Sequence, residues 1–138
     1  MKYLGIDYGS KKIGVAISDE MNMLAFPLQI ILNKDKEKSL QEILNIVTQN
    51  KIKNIVIGES VNQKGELNKI ALSAREFAFN LEEIFLDKNI DCGVHFEKEW
   101  YSTLEARRYD DRRDADDSAA AIILQRFLDK INKNNNLH

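Results

Sequence analysis

The chain has 138 residues, and its 20 Lys and Arg residues against 22 Asp and Glu residues give a formal net charge of −2 at pH 7. This length predicts one domain over 1–138, and a hydrophobic content of 43% suffices for a core, so a wholly disordered chain is excluded. One Cys and two His residues exclude a disulfide framework, a structural Cys-type zinc site and a His-rich metal cage, and the slight negative charge argues against a strongly basic nucleic-acid coat.

No stretch of the sequence approaches 18 consecutive apolar residues, so no membrane span is predicted. Near the N-terminus, Asp7 falls where a signal peptide needs its apolar region. We therefore expect a cytoplasmic protein that does not bind membranes.

The first part of the sequence predicts a meander of three strands. A short apolar run over 2–7 ends at Asp7, a turn follows, and a second apolar run covers 13–18. A third strand is expected over 26–32, with Pro27 near its start, where a missing N–H group matters least.

Helical periodicity then alternates with short strands. A helix face at Leu40, Ile43, Leu44 and Val47 has the i, i+3, i+4, i+7 spacing. Further along, the pattern predicts a strand over 52–58, a polar loop over 59–65, an amphipathic helix over 67–84, a strand over 91–97, a helix from about 114 to 130 and a polar tail after about 132.

The predicted order is β-β-β-α-β-α-β-α. Right-handed crossovers then give a three-layer α/β fold, in which helices cover both faces of a five-stranded, mixed and mostly parallel sheet. In such sheets, functional sites gather outside the carboxyl ends of the parallel strands.

Three acidic residues fall where that edge is expected. Asp7 ends the first strand, Glu99 follows the fifth strand, and Asp116 lies at the start of the last helix. Glu97 is a rival to Glu99, because alternation along the strand puts both on the same side. Three oxygen donors without a nearby His or Cys favour a hard cation, Mg²⁺ or Mn²⁺. Two such ions about 4 Å apart support phosphodiester cleavage.

Each acid also has a structural interpretation. Asp7 could start the hairpin turn through its side chain, and Asp116 could be a favourable negative charge at a helix N-terminus. Glu97 and Glu99 could be ordinary polar residues of an edge strand.

Four segments of the chain resemble the YqgF family of small bacterial RNase H-like proteins. The opening segment 4–19 (LGIDYGSKKIGVAISD) is similar to the first motif of that family. The segments 56–65, 99–106 and 116–125 resemble its central strand and loop, its Asp-Glu-Arg-Leu-Thr-Thr segment and its last-helix motif. The likeness covers nearly the whole chain in the same order.

This resemblance implies an RNase H-like fold and a nuclease that hydrolyses phosphodiester bonds. Members of the family are associated with ribosome biogenesis, through processing of the 5′ end of pre-16S rRNA, and with Holliday junction resolution. By resemblance, the catalytic and metal-binding residues are Asp7, Glu99 and Asp116, which favours Glu99 over Glu97. The expected cofactor is Mg²⁺ or Mn²⁺.

The sequence departs from the family pattern beside Glu99. Lys98 replaces the usual Asp, and Trp100 replaces an Arg that would suit a bidentate phosphate contact. Trp100 could stack on an unpaired base or pack over the sheet edge. After Gly58, Glu59 and Ser60 replace the usual apolar residue and Pro.

Basic side chains flank the acids along the sequence. Lys11 and Lys12 follow Asp7, and Arg107 and Arg108 precede Asp116. We expect several of them to contact substrate phosphates; the alternative is a solvated face.

The polar loop predicted over 59–65 is expected to grip substrate through Ser60 and Asn62 and to be mobile without it. A plain connector between strand and helix is the alternative. Glu59 would place a further negative charge beside the acids, and this charge would repel phosphate unless Glu59 helps to hold a metal or pairs with a lysine.

The sequence leaves the substrate open. Structured RNA such as pre-16S rRNA is favoured, and a branched DNA four-way junction is the nearest rival. A junction resolvase should act as a symmetric dimer, but the sequence declares no dimer surface, so a monomer or weak homodimer is expected. Two less favoured hypotheses are an ATP-binding domain, which would need a second domain, and a nucleic-acid-binding module that has lost activity.

Overall fold

A computed structural model of the chain describes residues 2–100 and 115–135. Within these ranges, the strands and helices follow the predicted order. The strands are β1 (Lys2–Tyr8), β2 (Lys12–Ser18), β3 (Ala25–Leu32), β4 (Ile52–Val61) and β5 (Gly93–Trp100). The helices are α1 (Lys36–Gln49), α2 (Lys69–Asp87) and α3 (Asp117–Asn135). None of these three helices is long and apolar enough to cross a membrane.

The five strands form one sheet in the order β3-β2-β1-β4-β5. The meander makes the two antiparallel pairs, β1 with β2 and β2 with β3. The crossovers through α1 and α2 make the two parallel pairs, β1 with β4 and β4 with β5. The sheet is therefore mixed, as predicted, but the expectation of a mostly parallel sheet is wrong because the meander contributes as many pairs as the crossovers.

Helices α1 and α2 cover one face of the sheet and build the larger core. Side chains alternate along each strand, so Leu4, Ile6 and Tyr8 of β1 enter this core while Asp7 faces the other way. The helices contribute large aliphatic and aromatic side chains, among them Ile43, Val47, Phe77, Leu81 and Phe85.

Helix α3 covers the opposite face with a smaller core, whose buried members are Ala16, Val56, Ala120, Ile123, Leu124 and Leu128. The helix lies close to the sheet because β1 presents Gly5 there. A Cβ atom at Gly5 would stand 2.7 Å from the Leu124 Cβ and 2.8 Å from the Ala120 carbonyl oxygen. Any larger residue at this position would push the helix outward.

Polar side chains satisfy backbone N–H groups at the start of α1 and α2. The Asp35 carboxylate accepts hydrogen bonds from the Glu37 and Lys38 backbone N–H groups. The Asn68 side chain accepts one from the Ala71 backbone N–H at 2.8 Å. Such N-caps fix the point at which each helix leaves its preceding loop.

Strand β4 is longer than the sequence predicts. Its pairing with β5 continues to Val61 opposite Trp100, so Glu59 and Ser60 are strand residues and the predicted loop over 59–65 is wrong for its first part. The end of this strand carries polar side chains, so the local hydrophobic pattern does not predict it. Pairing with β5, which is distant in sequence, is what extends the strand. At the other end of the chain, α3 continues to Asn135, into the predicted polar tail.

Candidate active site

Asp7 lies at the carboxyl end of β1, on the face covered by α3, and only 5% of its surface is exposed. Its Oδ2 atom accepts a hydrogen bond from the Asp116 backbone N–H at 3.2 Å. A strand end and a helix start that are 109 residues apart in sequence therefore meet at this carboxylate. A buried carboxylate needs such hydrogen bonds or a cation.

Asp116 immediately precedes α3 and caps it. Its Oδ1 atom accepts the Ala119 backbone N–H at 2.7 Å, and its carbonyl oxygen accepts the Ala120 N–H at 3.1 Å. The structural interpretation of Asp116 as a helix-terminal acid thus holds alongside its position next to Asp7. The capping bond uses one of its two carboxylate oxygens.

Gly14 allows the two acids to approach each other. It pairs with Asp7 across the β1–β2 hairpin, and a Cβ atom at Gly14 would overlap the carbonyl group of Asp116. The start of α3 therefore rests directly on the backbone of β2. This contact sets the position of Asp116 against Asp7.

Glu99 lies on β5 opposite Ser60 of β4, on the same face as Asp7. Its Oε1 atom accepts a hydrogen bond from Arg126 Nη1 of α3 at 3.0 Å. Glu97, two residues earlier on the strand, is buried and forms an ion pair of 2.5 Å with Lys130 Nζ. The two glutamates are thus held by neighbouring turns of one helix.

The chemistry of the predicted donors fits a hard divalent cation, but the three acids are not assembled. Asp7 and Asp116 place carboxylate oxygens at one edge of the sheet, and carboxylates are the ligands that Mg²⁺ and Mn²⁺ prefer. Over 2–100 and 115–135, no group of three or more His, Cys, Asp or Glu side chains is arranged to hold a metal ion. The structure brings Asp7 and Asp116 together and leaves Glu99 with Arg126, so a three-acid metal site stays a prediction.

The predicted phosphate-binding residues fall in different places. Lys11 is exposed in the β1–β2 turn and Lys12 is half-buried at the start of β2, both just after the strand that carries Asp7. Arg107 and Arg108 lie outside the described residues.

Ser60 and Asn62 differ in what their side chains do. Ser60 is half-buried and lies on the α3 face, in register with Glu99. Asn62 organises the turn after β4, because its Oδ1 atom accepts the Lys64 and Glu66 backbone N–H groups, each at 2.9 Å. Asn62 thus has a structural role in this turn, and its predicted contact with substrate stays untested.

Glu59 does not join the candidate site. It lies on the α1–α2 face, only 1% exposed, and accepts a 2.6 Å hydrogen bond from Arg75 Nε of α2. This hydrogen bond raises the pKa of Arg75. The Arg75 guanidinium also lies over the Phe96 ring at 5.4 Å. The expected position of Glu59 beside the acids is therefore wrong, because the side chain faces the α1–α2 core, and its charge is paired with an arginine and not with a metal or a lysine.

Sequence reasoning missed Arg126 and Lys130 as partners of the acids. Arg126 and Lys130 are four residues apart on a helix, which rises about 6 Å over that length, and Glu97 and Glu99 are about 6.6 Å apart on a strand. The two basic residues therefore match the spacing of the two glutamates. This match in spacing is present in the sequence, but it predicts the two ion pairs only once α3 is known to run antiparallel to β5.

Comparison with known proteins places these features in a family. The RuvX family model, described as Holliday junction resolvase, matches residues 1–130. The chain belongs to the RuvX family. Its predicted resemblance to the YqgF family is thereby confirmed.

Relatives of this RuvX-family protein match almost end to end. A protein of Halothermothrix orenii named "Putative pre-16S rRNA nuclease" is 35% identical, over 96% of this chain and 98% of the relative. A protein of the same name from Sulfurihydrogenibium is 34% identical, over 97% of this chain and 94% of the relative.

Solved structures share the fold of this RuvX-family protein at low sequence identity. The fowlpox virus Holliday junction resolvase has a TM-score of 0.53 at 15% identity, over 94% of this chain and 99% of that chain. RuvC of T. thermophilus in complex with Holliday junction substrate has a TM-score of 0.50 at 12% identity, over 93% of each chain. The predicted three-layer RNase H-like fold is confirmed.

Proposed function

We propose that this protein is a metal-dependent endonuclease that processes the 5′ end of pre-16S rRNA during ribosome biogenesis. Relatives named for that activity match the chain over nearly their whole length. The structural observation that carries the proposal is the contact between the buried Asp7 carboxylate and the backbone of Asp116. Two acids at the carboxyl edge of a sheet suit phosphodiester hydrolysis. A pre-16S rRNA substrate would place the protein in the cytoplasm.

In this proposal, Asp7, Asp116 and Glu99 hold Mg²⁺ or Mn²⁺. The bound ions would supply an activated water and stabilise the leaving oxygen. Burial of Asp7 between the sheet and α3 keeps its carboxylate in one orientation, and the N–H group of Asp116 keeps one oxygen anchored. Capping of α3 fixes the Asp116 side chain in the same way.

The proposed substrate is structured RNA, bound through its phosphates. Lys11 and Lys12 are close in sequence to the strand end that carries Asp7, and Ser60 lies on the site face. Each lysine contact would add to the salt dependence of binding. Asn62, Arg107 and Arg108 complete the proposed set.

Holliday junction resolution is the second candidate function. The family model carries that description, and RuvC and the fowlpox virus resolvase share the fold. Resolution of a four-way junction requires two cuts related by symmetry, and hence two copies of the chain. RNA cleavage is preferred because the relatives that match the chain nearly end to end are named for pre-16S rRNA processing.

A substrate comparison tests the two candidates. The protein is incubated with an end-labelled pre-16S 5′ precursor and, separately, with a labelled four-way DNA junction, each with Mn²⁺, with Mg²⁺ and with a chelator. An Asp7→Asn variant purified in parallel controls for contaminating nucleases. We expect metal-dependent cleavage of the RNA at a defined position. Cleavage of the junction alone would favour the resolvase, and cleavage of neither would overturn the proposal.

A further inference from the structure

Arg126 of α3 forms an ion pair with Glu99, the predicted metal ligand that does not join Asp7 and Asp116 in the structure. Its guanidinium donates to Glu99 Oε1 at 3.0 Å, and 56% of its side chain is exposed against 14% for Glu99. Arg126 is not among the residues expected to bind metal or substrate. Its contact with Glu99 nevertheless bears on the metal site, because it directs that carboxylate.

Arg126, the partner of Glu99, lies in the middle of α3 and far from the start of that helix. Between Asp117 and Arg126 the helix axis rises about 14 Å, whereas Asp116 lies at its very start. Across the sheet, β4 separates β5 from β1, which places the two strands about 9.5 Å apart. To share a cation with Asp7 and Asp116, Glu99 must bridge this separation, whereas its bond to Arg126 ties the carboxylate to a residue in the middle of the helix.

We propose that Arg126 is a positioning residue that holds Glu99 away from Asp7 and Asp116 and competes with the divalent cation for its carboxylate. The proposal rests on the proposed function, because it needs Glu99 to be a metal ligand. It explains why two of the three acids meet in the structure while the third pairs with a helix residue.

The exposure of Arg126 makes this contact weak enough to exchange. Ion pairs with an exposed partner contribute little, because water and salt screen the charges and the long side chain loses freedom. Their usual range corresponds to about a two- to fivefold change in an equilibrium constant. The arginine therefore tunes cation affinity without abolishing binding.

Lys130 provides a matched control for charge. It lies one turn further along α3 and pairs with Glu97, which is not a predicted ligand once Glu99 is chosen. Arg126→Gln and Lys130→Gln each remove one positive charge from the same helix face. A general electrostatic effect on cation binding should therefore appear in both variants, whereas competition for Glu99 should appear in Arg126→Gln alone.

Mn²⁺ binding to the full chain without nucleic acid measures the effect. Calorimetric titration, checked by loss of the free Mn²⁺ electron paramagnetic resonance signal, gives Kd for wild type and variants. We expect Arg126→Gln to bind Mn²⁺ about two- to fivefold more tightly than Lys130→Gln, and Arg126→Lys to stay near wild type. In a Glu99→Gln background, Arg126→Gln should have no effect beyond that of Lys130→Gln.

The outcomes separate this proposal from the proposed function. If wild type binds Mn²⁺ and Asp7→Asn does not, but Arg126→Gln equals Lys130→Gln, the positioning role is overturned while the metal site stands. If Arg126→Gln remains tighter in the Glu99→Gln background, the effect does not act through Glu99, and the role is again overturned. Absence of Mn²⁺ binding in both wild type and Arg126→Gln overturns the metal site and the positioning role together.

Discussion

Helices α1 and α2 cover one face of the sheet with large apolar side chains such as Leu81 and Phe85, whereas α3 covers the other with a smaller core and lies close against the strand glycines Gly5 and Gly58. Acidic side chains occur on both faces, but in different settings. On the α1–α2 face, Glu59 is almost fully buried and paired with Arg75. On the α3 face, Asp7 and Glu99 lie beside a helix start and an exposed arginine.

This contrast indicates that the two faces have different tasks. The α1–α2 face buries apolar area and supplies most of the stability. On the α3 face the core is smaller, and Gly14 in β2 leaves room for Asp116 to donate its backbone N–H to the Asp7 carboxylate. Substitutions on the first face should therefore change stability alone, and substitutions on the second should change the site.

The largest expected effect follows from Asp7→Asn. Asparagine keeps an oxygen that can accept the Asp116 N–H but loses the negative charge. Because metal-assisted charge stabilisation contributes several kcal/mol, we expect cleavage to fall by about 10²- to 10⁴-fold. In metal-free buffer, the free energy of unfolding should change by less than about 1 kcal/mol. A large loss of stability with retained cleavage would make Asp7 a purely structural residue.

The next effect compares Gly14→Ala with Leu81→Ala. The added methyl group at Gly14 overlaps the Asp116 carbonyl, and we expect it to destabilise the fold by about 1–3 kcal/mol and to weaken Mn²⁺ binding. Leu81→Ala should cost about 2–5 kcal/mol through the cavity it leaves. Folded Leu81→Ala protein, checked by circular dichroism, should bind Mn²⁺ as wild type does. Denaturant titrations give the stabilities, and unchanged Mn²⁺ affinity in Gly14→Ala would contradict the division between the faces.

The order of elements could be predicted because periodicity is a local signal. Leu40, Ile43 and Val47 mark a helix face without knowledge of the partner, and the strand ending at Asp7 is delimited by its own turn residues. The end of β4 could not be predicted in this way. Glu59 continues the strand because β5 pairs with it and Arg75 neutralises it, and both partners are distant in sequence.

The same limit applies to the candidate site. Asp7 and Asp116 could be selected from a strand end and a helix start, since topology alone brings such positions to one edge. The partner of Glu99 could not be found, because it depends on how α3 crosses β5. The pairing of Glu97 with Lys130 was hidden for the same reason.

Cys92 offers a chemical reporter of the α1–α2 face. It packs against the larger core, and burial, assisted by the negative charge of Asp91, raises the pKa of its thiol to about 11 from 9.0. At pH 8 the native protein should hold about a hundred times less thiolate than an unshifted cysteine, and the thiolate is the reactive form. Below pH 11 the alkylation rate should rise about tenfold per pH unit.

Mass spectrometry after iodoacetamide treatment measures this rate, with circular dichroism to confirm that the protein stays folded at each pH. The chain unfolded in denaturant is the reference. Asp7→Asn should leave the rate unchanged, because Asp7 lies on the other face of the sheet. Native alkylation as fast as that of the unfolded chain would show that Cys92 is not protected by this core.

The smallest expected effect tests whether the Glu59 side chain contributes to the stability of the fold and not to metal binding. Glutamine at this position keeps the volume and can still accept a hydrogen bond from Arg75, and Arg75 is half-exposed, so water can solvate its charge. We therefore expect Glu59→Gln to cost only about 1–2 kcal/mol of unfolding free energy, the difference between a charge-assisted and a neutral hydrogen bond. Mn²⁺ affinity should not change.

Glu99→Gln is the matched variant on the α3 face, and it should weaken Mn²⁺ binding with little change in stability. If Glu59→Gln weakened Mn²⁺ binding as strongly as Glu99→Gln, the two faces would share one electrostatic site, and the pairing with Arg75 would have to be counted as part of it.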